Sequence, residues 1–289
     1  MCPAPCTDHQ QEMSMSNDSP HPAAQFIASR DVAQEICRET CEHIHTLSAP
    51  RILVLATLGG AFITMGALFS ILLSTGVETH GLQLLLQGIG FSVGFFLVIL
   101  TGAALFTEAN VILPVSALNC SRGDMLRRGL KFWVLAWVGN LIGTLLTGWV
   151  ISLAQVYSAE HYQLLESVVA KKMHYQQVGG AEGWFSLVLS GMLGNWMVGM
   201  AAFLAVMGRT IIDKFVPIVL AVSLFVAGNF QHSPANMAYF SMIMPTGAGP
   251  GWWDAMRWNI IPAGIGNLLG GSLLVALPLW YGLRPQRNA

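Results

Sequence analysis

The sequence predicts an all-α membrane protein with six transmembrane helices, arranged as two inverted repeats of three helices, in which the second and fifth helices are broken. The first observation is composition: 54% of the 289 residues are hydrophobic and 10% are charged, with a mean hydropathy of +0.56. Soluble domains carry about 25% charged residues, so this composition is typical of a polytopic membrane protein. The net charge of −1 leaves no basic surface for nucleic acid.

The second observation is a long uncharged run, Phe215–Met244, which contains no Asp, Glu, Lys or Arg. A straight helix of this length would reach roughly 45 Å, whereas the hydrocarbon layer is about 30 Å thick. The polar residues near its middle predict a break, after which Ser233 caps a new half-helix and Pro234 occupies its first turn. His232 would then lie inside the membrane, where an ionisable group indicates a functional site.

A second run, Gly81–Asn119, has the same property, because its only charged residue is Glu108. Its weak point is Thr101–Thr107, which predicts another break. Thr107 is expected to cap the following half-helix, and Glu108 to sit in the first turn, where a carboxylate suits the helix dipole. Each half-helix is expected to span about 11 residues, or half a crossing.

The third observation is an internal repeat at an offset of 127 residues. It relates Gly139-Asn140-Leu141-Ile142-Gly143 to Gly266-Asn267-Leu268-Leu269-Gly270, and Leu105-Phe106-Thr107 to His232-Ser233-Pro234. Two halves of three crossings each must run in opposite directions, so the paired breaks are expected to meet near the bilayer midplane. The repeated glycines are expected to serve close helix packing.

The remaining predicted spans are Ile52–Thr75, Phe132–Tyr157, Trp184–Met207 and Asn259–Tyr281. Residues 158–183 and Pro245–Trp258 are predicted to be loops. The chain therefore divides into an N-terminal tail (1–48) with an amphipathic helix over 26–48, a six-span domain (49–283) and a C-terminal tail (284–289).

The distribution of basic residues predicts that both termini are cytoplasmic, in a cell membrane, because this orientation places eleven of fourteen Lys and Arg inside. The N-terminus lacks the apolar core of a signal peptide and is expected to be retained. The five cysteines all fall on the cytoplasmic side, where no disulfide framework is implied. Cys37, Cys41 and His45 share one helix face, which leaves two interpretations open: a metal site, or a solvated surface with reduced thiols.

The two breaks together predict a site for a small anion, because the free N–H groups of two half-helices point at one place. Polar side chains available there are His232, Thr107, Asn195 and Asn267. Bulky apolar groups that close the path on both sides are Phe91, Phe95, Leu105, Phe106 and Phe225. Entering such a constriction costs a bare anion several kcal/mol of hydration free energy, whereas the neutral acid avoids this cost. The hypothesis is therefore attraction as an anion and passage in protonated form, with His232 as hydrogen-bond donor and possible proton source.

These residues resemble the formate/nitrite transporter (FNT) family over roughly residues 50–283. The motifs are Leu105-Phe106-Thr107, Asn195-Trp196-Met197-Val198, Gln231-His232-Ser233-Pro234-Ala235-Asn236-Met237 and Gly266-Asn267. The resemblance implies an aquaporin-like fold, a homopentamer with one pore per protomer, and proton-coupled passage of formate, nitrite, hydrosulfide or short-chain carboxylates. It also implies that His232 is the central histidine and that Val198 joins the constriction.

The sequence departs from the family pattern at two sites that are expected to modulate transport. Many members have Glu before the histidine, where this chain has Gln231. A lysine of the outer vestibule corresponds to Lys171 or Lys172 if a short insertion is allowed, whereas a strict count reaches Gly179. Glu108 is a further modulating candidate.

Two other functions compete with this interpretation. An aquaporin-like channel for neutral solutes would carry Asn-Pro-Ala at both half-helices, and Ser233-Pro234-Ala235 is the nearest approach here. A membrane enzyme or redox subunit needs paired ligands or acid and base groups, and the predicted membrane segments hold one His and one Glu. The sequence therefore predicts no enzymatic activity, metal or cofactor, with small anions, protons and lipid as partners.

Overall fold

The fold is given by a computed structural model, which describes residues 26–119, 125–155 and 157–283. Those residues form helices joined by short connections, and one isolated bridge pairs Phe26 with Gly208. The helices are α1 (Ser29–Thr46), α2 (Ala49–Ser74), α3 (His80–Thr101), α4 (Phe106–Asn119), α5 (Met125–Leu153), α6 (Ala159–Lys172), α7 (His174–Val178), α8 (Gly180–Met207), α9 (Ile211–Ala227), α10 (Ser233–Ile243) and α11 (Trp252–Leu283). The predicted tail segments 1–25 and 284–289 lie outside the described residues.

Five helices of the described part, α2, α3, α5, α8 and α11, are long and apolar enough to cross a membrane. α9 has 17 residues and continues, after a break, into α10. Large apolar side chains on the outer faces of these helices are exposed, such as Val54 at 60% and Leu220 at 68%. In water such a surface is unfavourable, whereas lipid or a neighbouring subunit accepts it.

The long run Gly81–Asn119 breaks where its sequence predicts. α3 ends at Gly102, whose φ of 67° is left-handed and available to glycine without steric penalty. The chain then passes through Ala103 and Leu105 before α4 begins at Phe106. Thr107 therefore lies inside α4, and the prediction that it caps this helix is wrong.

The run Phe215–Met244 also breaks. α9 ends at Gly228, and Asn229 takes a left-handed φ of 48°. α10 then begins at Ser233, and the residue that caps it is His232, whose side chain accepts a hydrogen bond from the helix. The predicted cap at Ser233 is therefore displaced by one residue, because the imidazole supplies the acceptor.

The repeated glycines allow close backbone contact between helices, as predicted. A Cβ atom on Gly143 would lie 2.0 Å from the Thr57 carbonyl oxygen, and one on Gly139 would lie 2.4 Å from the Ala56 Cβ atom. Gly266 and Gly270 would each meet a carbonyl oxygen of α8 at 2.2 Å. These glycines therefore hold α5 against α2 and α11 against α8.

The segment 158–183, predicted to be a loop, instead forms α6, α7 and the start of α8. Ser158 and His161 cap α6 reciprocally, since each side chain bonds the backbone N–H of the other. Leu165 and Val169, one turn apart, are buried against the core.

The predicted loop Pro245–Trp258 is also partly helical. α11 begins inside it, at Trp252, and continues through two π-helical stretches.

The predicted amphipathic helix is present as α1. Val32 and Ile36 are buried in an apolar cluster with residues of α4, α8 and α11. Cys37 is disulfide-bonded. This overturns the expectation of reduced thiols at Cys37, and a cysteine in a disulfide has no thiolate for a metal. The side chains of Cys41 and His45 lie outside the described part.

We expect Gly143→Ala to destabilise the protein by about 1–3 kcal/mol, because the added methyl group must separate α5 from α2. Gly81→Ala is the matched control, since a Cβ atom at Gly81 meets nothing within 4 Å. Thermal unfolding of the purified protein in detergent measures both. Equal unfolding midpoints for the two variants would contradict the close packing at Gly143.

Candidate functional site

His232 lies at the start of α10 and is only 1% exposed. Its Nδ1 atom accepts a hydrogen bond from the Ala235 backbone N–H at 3.3 Å. A neutral imidazole has one acceptor and one donor nitrogen, so this bond assigns the proton to Nε2. Within the described residues Nε2 has no hydrogen-bond partner. The ring thus presents one free N–H donor inside the protein.

Two asparagines of equivalent position in the repeat support the two helix breaks. Asn140 Oδ1 accepts from the Phe106 N–H at 2.9 Å, and Asn267 Oδ1 accepts from the Ser233 N–H at 2.8 Å. Each acceptor meets the first N–H of a half-helix, which has no partner within its own helix. Both pairs, Phe106 with Ser233 and Asn140 with Asn267, keep the offset of 127 residues.

The amide nitrogens of these asparagines bind the chain just before each half-helix. Asn140 Nδ2 donates to the carbonyls of Ala56 and Ala104, both at 2.9 Å. Asn267 Nδ2 donates to the carbonyls of Gly191 and Gln231, again at 2.9 Å. The sequence predicts that Asn267 binds the anion, but in the structure its oxygen and nitrogen both bind backbone groups.

Asn195 of α8 connects the two breaks. Its Nδ2 donates to the Thr107 carbonyl at 3.1 Å and to the Asn267 carbonyl at 2.7 Å. The two carbonyl partners fix the orientation of the amide. The Asn195 Oδ1 and Thr107 Oγ1 atoms are buried, and neither has a hydrogen-bond partner in the part of the chain that the structure describes. Asn195 thereby ties the first turn of α4 to Asn267, whose side chain accepts from the first N–H of α10.

Five of the six predicted constriction residues belong to one apolar cluster and are at most 2% exposed: Phe91, Phe95, Leu105, Val198 and Phe225. The rings of Phe91 and Phe225 pack edge to face, with centroids 5.7 Å apart, and the Phe225 centroid lies 5.2 Å from that of His232. Phe106 differs, since it is only half-buried and does not belong to this cluster.

Two cavities lie on either side of this cluster. One, of about 200 Å³, is bordered by Leu105, Glu108 and Lys214 among others. The other, of about 160 Å³, is bordered by Phe225, Asn229, Lys171 and Lys172 among others. The first cavity is lined by the end of α3, at Val98 and Gly102, and the second by its start, at His80 and Leu84, so the two cavities lie at opposite ends of this helix.

The structure distinguishes the two lysines that the sequence left as alternatives. Lys171 is exposed, whereas Lys172 is buried, and its ammonium nitrogen lies 5.3 Å from the ring centroid of Tyr239. Burial lowers the pKa of Lys172, which lies in α6 outside the candidate spans, to about 7. No ion pair joins it to a carboxylate in the described residues.

Gln231 belongs to an amide network that sequence analysis missed. Its Oε1 accepts from Asn236 Nδ2 at 3.0 Å and from Asn259 Nδ2 at 3.1 Å. Asn259 Nδ2 also donates to the Lys172 carbonyl at 2.8 Å. The network therefore links the residue before His232 to the end of α6. Asn236 and Asn259 are polar residues within apolar runs, and this pattern could have identified them from the sequence.

The profile of the formate/nitrite transporter family matches residues 30–281. A probable formate transporter of Methanothermobacter thermautotrophicus is 30% identical over 272 residues, which cover 89% of this chain and 97% of that protein. The formate channel FocA of Escherichia coli K12 is 32% identical over 249 residues, covering 78% of this chain and 84% of that protein.

Two solved structures share the fold. A pentameric formate channel with formate bound superposes with a TM-score of 0.67 and 23% identity, covering 81% of this chain and 96% of that chain. An ion channel of the FNT family gives a TM-score of 0.68, also at 23% identity, covering 88% and 96%. Together with the apolar helices, the family match identifies a multi-pass membrane protein.

We expect Asn140→Ala to lower the free energy of unfolding by about 1–3 kcal/mol, because the Phe106 N–H loses its acceptor inside the protein. Thr144→Val is the control, since the buried Thr144 hydroxyl bonds only a carbonyl of its own helix, at 2.8 Å. Thermal unfolding in detergent compares the two. A larger loss for Thr144→Val than for Asn140→Ala would show that Asn140 does not support the break.

Proposed function

The chain belongs to the formate/nitrite transporter family, and on that premise we propose that it is a transmembrane channel or transporter for small monovalent anions, such as formate or nitrite. The observation that carries the proposal is the buried His232, whose Nε2–H donor has no partner among the described residues. A buried donor without a partner is unfavourable by about 1–3 kcal/mol, and a passing oxyanion or weak acid would satisfy it. The family is one of transporters and channels, and we assign no enzymatic reaction to this chain.

The hydrogen bonds of His232 favour one of its two predicted roles. A neutral ring that gave up its Nε2 proton would become an anion, which is unfavourable in an apolar site. Protonation at Nδ1 would instead remove the acceptor that caps α10 through Ala235. We therefore assign His232 as a hydrogen-bond donor, and we propose that the permeating anion takes its proton from solvent water at the mouth of the pathway.

The proposed path runs between the two cavities. An anion enters the cavity that Lys172 borders, which we call the outer cavity, and there the lysine cation compensates for the hydration that the anion loses. It crosses the constriction past Phe91, Phe225 and His232 as the protonated acid, since the apolar rings offer nothing to a bare charge. It then reaches the cavity that Glu108 borders, which we call the inner cavity. Phe106, which is half-buried, contributes least to the proposed constriction.

The other predicted site residues divide into two groups. Thr107 Oγ1 and Asn195 Oδ1 have no partner in the described chain, so we propose that they accept a hydrogen bond from the O–H group of the acid. Asn267 is assigned to the framework, because its amide is fully engaged. Gln231 modulates the site by fixing the chain before His232 without adding charge, and the exposed Lys171 adds charge at the outer mouth.

We further propose an aquaporin-like inverted repeat with six crossings, with both termini cytoplasmic. The equivalent caps by Asn140 and Asn267 support this arrangement, because two halves with the same local contacts are the expected product of a repeat. One structural neighbour is a pentameric formate channel, and we propose a homopentamer here as well. The exposed apolar faces described above leave surface for neighbouring subunits.

A channel for neutral solutes is the alternative. Neither half-helix begins with the Asn-Pro-Ala motif of such channels. α10 begins with Ser233-Pro234-Ala235 and α4 with Phe106-Thr107-Glu108.

We expect His232→Phe to reduce formate uptake into proteoliposomes by about tenfold or more, because the central donor is lost. His232→Asn separates transport from capping, since Asn is a good N-cap but its shorter amide does not place a donor at Nε2. We expect His232→Asn to unfold at the wild-type temperature and to transport poorly. His174→Phe, at an exposed histidine of α7, should transport normally. Wild-type uptake by His232→Phe would refute the assignment.

We expect the affinity for formate to fall as the pH rises from 6 to 8. A lysine with a pKa of about 7 is mostly charged at pH 6 and mostly neutral at pH 8, an approximately tenfold change in the ammonium form. Formate is ionised at both values. Lys172→Met should raise the KM for uptake at pH 6 and remove this dependence, whereas Lys171→Met should preserve it. A pH profile unchanged by Lys172→Met would contradict the role of Lys172.

A further inference from the structure

We propose that Tyr239 is a positioning residue that holds the Lys172 ammonium group over its aromatic ring at the outer cavity, so that this cation meets the entering anion. The inference rests on the proposed function of the pathway and adds a residue to it. No sequence motif singled out Tyr239, which lies inside the apolar part of α10 and is 4% exposed.

The ring of Tyr239 is fixed from two sides. Its hydroxyl donates to Ser70 Oγ of α2 at 3.2 Å, and Ser70 is itself 1% exposed. The ring stacks on Phe91, with centroids 6.0 Å apart and an interplanar angle of 25°. A side chain held by a buried hydrogen bond and by a stacked ring has little freedom to move.

Lys172 is likewise fixed at its base. Its carbonyl accepts from Asn259 Nδ2 at 2.8 Å, which anchors the last turn of α6 to α11. Its ammonium nitrogen then lies 5.3 Å from the Tyr239 ring centroid, within the usual range of a cation–π contact. The anchored base and the aromatic ring together determine where the charge is held.

An aromatic partner, unlike a carboxylate, leaves the N–H donors of the lysine available to an anion. A carboxylate would neutralise the ammonium group and occupy its N–H donors, whereas a π face attracts the charge and leaves N–H donors for another anion. Gln231, the polar residue before His232, is neutral, and its oxygen is used by Asn236 and Asn259. Lys172 also borders the outer cavity, so an anion there can reach it.

Few titratable groups among the described residues lie near Lys172. Besides Tyr239, they are Lys171 on the same helix, His80 at the start of α3, His174 at the start of α7 and His232 at the cap of α10. Lys171, His80 and His174 are exposed. A change in the charge of Lys172 can therefore be compared with Lys171, His80 and His174, which are exposed to solvent, whereas His232 is buried.

The first test measures Lys172 directly and needs no transport. Purified protein in detergent is labelled with acetic anhydride over a pH series, and mass spectrometry follows Lys172, with Lys171 as internal control. Tyr239→Met removes the ring that favours the charged form, so the labelling midpoint of Lys172 should move to lower pH by about 0.5–1.5 units. Tyr239→Phe keeps the ring and should leave the midpoint unchanged. Tyr239→Leu provides a second variant without a ring if Tyr239→Met does not fold.

The second test measures formate uptake into proteoliposomes at pH 7.5. Variants that lack the ring should raise the KM by about threefold to tenfold with little change in maximal rate, and Tyr239→Phe should restore the wild-type KM. A Lys172 midpoint that stays in place or rises in the ringless variants overturns the inference, whatever the transport result. Absence of both formate and nitrite uptake by the wild-type protein overturns the proposed function instead, while the labelling still decides the role of Tyr239.

Discussion

Backbone that leaves a helix inside a membrane must find its hydrogen-bond partners within the protein, because lipid offers none. In this chain the constraint is met by side-chain amides. Asn140 and Asn267 each accept from the first N–H of a half-helix and donate to carbonyls just before it. Asn195 then joins the two arrangements. The breaks in α3–α4 and α9–α10 depend on these contacts, and the position of His232 depends on the second break.

The same constraint determines the chemistry of the imidazole. Because His232 caps α10 with Nδ1, its remaining nitrogen is a donor. In the proposed pathway, the free Nε2–H donor of His232 and the ammonium group of Lys172 share one electrostatic preference, which is for negative charge on the permeant. The apolar rings beside them have the opposite preference, since they accept only a neutral molecule. A weak acid satisfies both, because it exists as an anion and as a neutral acid.

Length and charge were sufficient to predict the helix breaks, since runs such as Phe215–Met244 exceed one crossing. The caps were not predictable in detail, because the acceptor for Phe106 comes from Asn140, 34 residues away in sequence. α6 was missed because its polar residues resemble a loop, although Ser158 and His161 form a recognisable capping box. The roles of Lys171 and Lys172 could be distinguished only once α6 was known, because consecutive residues of a helix point in different directions. In α6 this buries Lys172 and exposes Lys171. Tyr239 gave no signal because an aromatic residue in an apolar run is usually part of the core.

The central claim is that His232 presents Nε2–H to the permeant while Nδ1 caps α10. Nitrogen-15 NMR of the ring-labelled protein in lipid bilayers tests it most directly, with the His232 signals assigned by difference from His232→Asn. The account predicts a protonated Nε2 and an unprotonated Nδ1 at neutral pH, and a change at Nε2 alone when formate is added. A protonated Nδ1, or an imidazole that does not respond to formate, would contradict it.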